Sequence, residues 1–297
     1  MTSSPRRRVR GTVAVLVALG LLALRPAGAV AGPRSIADRY AAPGPDSAVV
    51  HEAVTDTSGA VVYEVFAPKD LGPPGTRHAV ITWGNGSFAH PSDYEPLLHH
   101  LATWGFVVVA AETDQSGTGD EILAATRAVL ARDHDARSRF AGHLATDHVG
   151  AGGHSQGAGG TVRAATRSGH LISAVLLADL PNAIYTIPPD TKQFTTSALT
   201  VPTFFVAGQY DVIISSRATN QAFYDSVRGP AAMGLQRDAD HNTVQHDAGG
   251  YRGDITAWFR YLLVGDRIAA RVFSGPHPQL LVDPAWMGQQ VKGLRSP

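Results

Sequence analysis

Five short apolar runs, separated by segments of helical periodicity, limit this chain to a mostly parallel sheet covered by helices. The runs are His78–Trp83, Phe106–Ala111, His148–Gly152, Ile172–Ala178 and Val201–Gly208. Between the first two, Ser92-Asp93-Tyr94-Glu95 has the capping-box form, and Leu97, Leu98, Leu101 and Trp104 continue an apolar stripe that Gly105 ends. Thr118-Gly119-Asp120-Glu121 is a second box, leading Ile122, Leu123, Val129 and Leu130 inward. Upstream, Val49–Val54 and Ala60–Phe66 flank Asp56-Thr57-Ser58-Gly59, which reads as a hairpin. Downstream, Met233–Asp238 reads as a last short strand. Ile255, Trp258, Phe259, Leu262 and Leu263 then fall on one helix face. The expected fold class is α/β: a mostly parallel central sheet with helices on both faces.

The N-terminus is built differently. Arg6, Arg7, Arg8 and Arg10 precede an apolar run from Gly11 to Leu24, and Ala27-Gly28-Ala29 supplies small residues at cleavage-site spacing. The run is shorter than the ~20 residues a membrane span needs. Residues 1–29 therefore read as a secretory signal peptide, by a Sec or a twin-arginine route, with no stable membrane anchor after cleavage. Residues 30–297 read as a single domain, led by a Gly-, Pro- and Ala-rich segment from Gly32 to Pro45. The whole chain balances 25 Lys+Arg against 25 Asp+Glu. Removing five arginines with the leader leaves 20 basic side chains and a net charge of −5. That charge argues against a nucleic-acid partner. With no cysteine, an exported product relies on its core, without disulfides, and has neither a thiol nucleophile nor a thiolate metal site.

Gly153-His154-Ser155-Gln156-Gly157 matches G-x-S-x-G, set between the strand His148–Gly152 and a small-residue helix from Gly157 to Ser168. In that context the motif is a nucleophile elbow: flanking glycines let a sharp strand-to-helix turn close and expose the serine hydroxyl. Ser155 is the expected nucleophile, and the Gln156 amide an expected oxyanion donor. A serine hydroxyl needs a base and an orienting acid, and on the α/β-hydrolase fold the chain order is Ser, then Asp or Glu, then His. Asp211, after the strand Val201–Gly208, is the expected acid, with Asp179 competing for the role. His241, in the loop before the final helix, is the expected base, with His246 as runner-up.

The other oxyanion donor is expected in Trp83-Gly84-Asn85-Gly86-Ser87, from Asn85. Trp83, Tyr185 and Phe194 are candidates to line an acyl pocket, though aromatics serve core packing equally well. His90, His99, His100 and His143 read as surface or core residues. His143, Asp147 and His148 fit no strong zinc spacing, so no metal and no cofactor is expected.

Gly153-His154-Ser155-Gln156-Gly157-Ala158-Gly159-Gly160 resembles the elbow of bacterial cutinases and polyester hydrolases, in the dienelactone-hydrolase-like branch of the α/β-hydrolases. Leu101–Val109, Val201 through Asp211, and Asp240-His241-Asn242 resemble their helix–strand, acid and histidine segments. The resemblance implies Ser155, Asp211 and His241 as a triad, with Asn85 standing where the family has an aromatic residue and Gln156 where it has methionine. It implies an ester substrate, small or polymeric. The chain departs from the family at Asp179-Leu180-Pro181-Asn182, where a tryptophan often packs on an aromatic acyl group, and in lacking the C-terminal disulfide. The expected function is a secreted serine carboxylester hydrolase. A peptidase or lactone hydrolase on the same fold, or a non-catalytic exported binding protein, are the alternatives.

Overall fold

Strands whose side chains are largely apolar on both faces must be covered on both, and they are: every residue of His78–Gly84 (β3), Val107–Ala111 (β4) and Thr203–Gly208 (β7) is buried. The computed structural model describes residues 35–182 and 193–297, all within one compact unit. The proposed leader and Tyr185 lie outside the described residues.

With Val49–Thr55 (β1), Val61–Pro68 (β2), Leu144–His154 (β5), Ile172–Ala178 (β6), Ala231–Gln236 (β8) and Trp286–Lys292 (β9), these strands form one sheet in the order β1-β2-β4-β3-β5-β6-β7-β8-β9. The block from β4 to β8 is parallel. At its two sides β2 and β9 run antiparallel to it, and β1 pairs antiparallel with β2.

Alternation along each strand divides the core into two layers. Ile81, Trp83, Val108, Leu176, Phe204 and Val206 face one side. There they meet helices Ile36–Ala41 (α1), Glu95–Thr103 (α2), Arg252–Val264 (α6) and Arg267–Phe273 (α7). Val80, Val107, Val109, Val175, Leu177 and Phe205 face the other, against Asp120–Ala131 (α3), Gln156–Arg167 (α4) and Arg217–Ser226 (α5). At ~25 cal/mol per Å² of apolar area removed from water, these two layers supply the dominant stabilisation.

Several boundaries differ from expectation. Ser92 does not cap α2; it lies in a 3₁₀ turn, Pro91–Asp93, and α2 starts at Glu95 with Pro96 just inside its first turn. The box is displaced upstream, where Asp93 Oδ2 accepts the His90 N–H at 2.8 Å. Thr118 and Glu121 bond each other at 2.7 Å, and left-handed Gly119 occupies the cap of α3. The lead-in segment contains α1, capped by reciprocal Ser35–Asp38 bonds at 2.9 Å each. The strand expected at Met233–Asp238 starts and ends two residues earlier.

Candidate active site

The turn after β5 carries the strain expected of an elbow. Ser155 has φ 52° and ψ −122°, a backbone conformation that costs a non-glycine residue about 1–3 kcal/mol. Its N–H donates to the Ala178 carbonyl at 2.9 Å, which ties the turn to the end of β6. Glycine is obligatory at two neighbours. A Cβ on Gly153 would stand 2.5 Å from the Gly157 oxygen, and one on Gly157 would stand 2.2 Å from the Gly84 oxygen. The elbow therefore closes against the end of β3 by direct backbone approach.

Ser155, Asp211 and His241 come together at the carboxyl ends of β5, β7 and β8. His241 Nε2 lies 3.0 Å from Ser155 Oγ, and its Nδ1 lies 2.6 Å from Asp211 Oδ2. The Asp211 side chain is 3% exposed and that of His241 20%, so the acid is enclosed while the ring keeps an open edge. Burial pushes the Asp211 carboxyl up. The hydrogen bond and charge of His241, with N–H groups of Ser215 and Ile214, outweigh burial and hold it below the usual carboxylate range. An ionised Asp211 that accepts from Nδ1–H leaves Nε2 free to accept the serine proton. His246 is exposed and remote in role: its N–H and C=O bond Asp93 and Leu97.

Asp179, the competing acid, lies immediately after β6 and is fully buried. Oxygens of Asp179 and Asp211 and a ring nitrogen of His241 all lie within 4.8 Å of one another. Among the described residues, this is the group of three that combines such ligand atoms. His143 turns to the Thr76 carbonyl at 3.0 Å, and His148 pairs with Asp147 at 2.9 Å.

Two residues bracing the site carried no expected role. Tyr94 Oη accepts the Gly86 N–H at 3.0 Å and donates to His154 Nδ1 at 2.8 Å. His154 Nε2–H then donates to the His241 carbonyl at 2.7 Å. Burial, then the neighbouring His241 charge, pushes the His154 pKa down to about 3, so the ring stays neutral and its tautomer is fixed by its partners. His154 is the variable position before the serine in the motif. Its place there was the available signal, but the partner 60 residues away in Tyr94 was not readable.

The loop expected to supply the second oxyanion donor is closely bonded to its surroundings. Asn85 is fully buried, and its main-chain N–H donates to Ser116 Oγ at 3.2 Å while its side-chain amide holds the Ala111 and Thr113 carbonyls. Its N–H groups thus tie the loop to the end of β4 and the segment after it. Gly86 N–H is taken by Tyr94. Ser87 is exposed, and among the described residues its N–H has no hydrogen-bond partner. Gln156, the first residue of α4, clamps this loop: its Nε2 donates to Ser87 Oγ at 2.6 Å and its Oε1 accepts from Gly117 N–H at 2.9 Å.

Of the pocket candidates, Trp83 is fully buried beneath Gly152 and Tyr94 and belongs to the core, because its strand is covered on both faces. Phe194 packs on Phe223, with ring centroids 5.7 Å apart, and against Gly159 of α4. The exposed apolar side chains beside the site are different ones: Phe88 at 84%, Val212 at 69% and Ile213 at 70%.

A serine on a strained strand–helix turn, with imidazole and carboxylate delivered from later strand ends of a mostly parallel sheet, defines the α/β-hydrolase class. Residues 29–281 match the family described as PET hydrolase-like, and the chain belongs to that family. It is also similar to Cutinase est2 of Thermobifida alba, at 28% identity over 198 residues. That match covers 63% of this chain and 61% of the relative's length. Among the described residues, no helix is long and apolar enough to cross a membrane.

Proposed function

We propose that this protein is an exported serine carboxylester hydrolase. The supporting observation is the continuous hydrogen-bond path from Ser155 Oγ through His241 to Asp211, set on a strained elbow. Ser155 Oγ attacks the ester carbonyl carbon as His241 Nε2 takes its proton. The oxyanion accepts from the main-chain N–H groups of Gln156, at the positive end of α4, and of Ser87. Collapse breaks the bond to the alkoxy oxygen, which leaves as the alcohol with the proton from His241. Water then attacks the acyl-enzyme by the same route and returns the serine with a free acid.

The exposed Phe88, Val212 and Ile213 favour an ester with a hydrophobic acyl or alcohol part, small or polymeric. Membership of the PET hydrolase-like family and similarity to a cutinase support the same reading. Export is supported by the basic, apolar and small-residue order of residues 1–29. Ser155→Ala is expected to keep the far-ultraviolet circular dichroism of the wild type and to abolish p-nitrophenyl butyrate turnover and fluorophosphonate labelling. Undiminished turnover rejects the assignment.

A further inference from the structure

We propose that Asp179 is a second acid for the His241 imidazole, held in reserve behind Asp211 and able to take over its hydrogen bond to Nδ1. The inference rests on the triad reading above. Its basis is placement. The chain positions three side chains at the ends of consecutive strands, Ser155 after β5, Asp179 after β6 and Asp211 after β7, and the imidazole approaches both carboxyls within 4.8 Å.

Asp179 is also held there at a cost. Its φ is 49°, which a residue with a Cβ adopts only when its surroundings impose it. The surroundings are its own N–H, bonded to the Val206 carbonyl at 2.7 Å, and its Oδ1, which accepts the Gly208 N–H at 2.9 Å. A side chain needed only to cap the Gly208 N–H would be satisfied by one oxygen. The second oxygen, Oδ2, is buried and has no donor among the described residues. A buried carboxylate oxygen without a donor beside another carboxylate is unstable, and a proton shared within the pair removes the repulsion.

That proton resides on Asp179. Burial acts first and raises its affinity well above that of an ordinary carboxyl, and the charges of Asp211 and Asp240 act in the same direction. Tyr94 and Tyr251 stand near enough to oppose a charge on it, His241 faces it, and none of these groups is a lysine or arginine. The resting pair is thus a neutral Asp179 and an ionised Asp211. When Asp211 is removed, the strongest opposing charge goes with it. Asp179 then releases its proton to solvent and its carboxylate accepts from His241 Nδ1–H.

The test compares Asp211→Ala with the double variant Asp211→Ala/Asp179→Asn, measuring kcat/KM on p-nitrophenyl butyrate between pH 5 and pH 9. Loss of a sole triad acid costs roughly 10⁴-fold. With a reserve acid, Asp211→Ala is expected to lose only about 10²-fold, and the double variant to fall at least another tenfold towards the full cost. The kcat/KM of Asp211→Ala should also rise with pH through a titration that the double variant lacks. Equal rates and superimposable profiles in the two variants overturn the proposal. Should the double variant not fold, the profile of Asp211→Ala alone decides, because one unchanged from wild type overturns the proposal as well. Failure of the triad reading is read separately, from persistent turnover in Ser155→Ala.

Discussion

Deleting one hydroxyl, in Tyr94→Phe, removes the brace between the oxyanion loop and the histidine loop without creating a cavity of any size. Tyr94 is fully buried, and its oxygen serves Gly86 N–H at 3.0 Å and His154 Nδ1 at 2.8 Å. Both partners are themselves buried. The Gly86 N–H and His154 Nδ1 are each left without a partner, at about 1–3 kcal/mol apiece, so the variant should lose about 2–6 kcal/mol of unfolding free energy. Within a total of roughly 5–15 kcal/mol for an ordinary domain, that is a large share. The effect on rate comes through the position of the ring. The His241 carbonyl, 2.7 Å away, still keeps the proton on His154 Nε2, but Nδ1 loses the Tyr94 hydroxyl that held the ring from its other side. The histidine loop then loosens, and kcat should fall by about tenfold with little change in KM, since sub-ångström misplacement of a base is felt in the chemical step. Urea unfolding and steady-state hydrolysis of p-nitrophenyl butyrate measure the two effects. Gln245 also reaches the hydroxyl, so Gln245→Ala is added to remove its substitution for the lost group. A stability change below about 0.5 kcal/mol in that double variant, with kcat intact, refutes the reasoning.

Asp254 makes a prediction about pH. It is buried beneath β9, with Oδ2 accepting from Trp286 Nε1 at 3.1 Å, and burial followed by the charge of Asp283 pushes its pKa up from 3.8 to about 7. The folded state therefore binds a proton that the unfolded chain releases near pH 4. The stabilisation this represents is complete below pH 4 and is lost as pH rises through 7. Asp254→Asn keeps an acceptor without the charge, so its melting temperature should exceed that of the wild type at pH 8, with the gap closing towards pH 4; a gap independent of pH refutes the burial argument. At the elbow, Gly157→Ala should cost about 3 kcal/mol or more, because its Cβ meets the Gly84 carbonyl, which cannot yield. Gly159→Ala, whose Cβ meets only the Phe194 ring at 3.0 Å, is the control and should cost about 1 kcal/mol or less by chemical denaturation. Equal losses would mean that backbone approach does not set the elbow.

What the sequence disclosed follows from how locally each feature is encoded. The parallel strands were legible because covering on both faces demands largely apolar runs, as in β3 and β7. The site residues that the structure gathers, Ser155, Asp211 and His241, each stand at a strand end that the sequence marks. β9 was not legible: Trp286–Lys292 contains Gly288 and polar side chains, is half-exposed, and becomes a strand only by pairing with β8. α1 was hidden because its helix is short and depends on docking Tyr40 beneath Trp104. The hydrogen bonds of the Asn85 loop were not legible for a related reason. The loop glycines indicated close approach, but which amide points outward depends on Ser116 and Tyr94, which belong to other elements.

Those dependencies have a common pattern. Lateral main-chain bonding continues past the regular ends of the strands: Ser155 N–H to Ala178, Asp179 N–H to Val206, Gln209 N–H to Gln236 and Tyr210 N–H to Ala239. Each segment bearing an acid or the nucleophile is thereby anchored to its neighbour in the sheet before any side chain is considered. The distances within the triad are then set by strand register, with side-chain rotamers making only the final adjustment. Gly208 illustrates the consequence. It donates to Asp179, and a Cβ at that position would stand 2.6 Å from the carbonyl oxygens of both Ala239 and Asp240. A methyl group there would push the histidine loop away from the acid, although Gly208 itself touches neither Ser155 nor the imidazole in any hydrogen bond. Geometry of this kind tolerates change in the exposed rim around Phe88 and Ile213, which bears no part of the lateral network, and it is intolerant at the strand ends beneath.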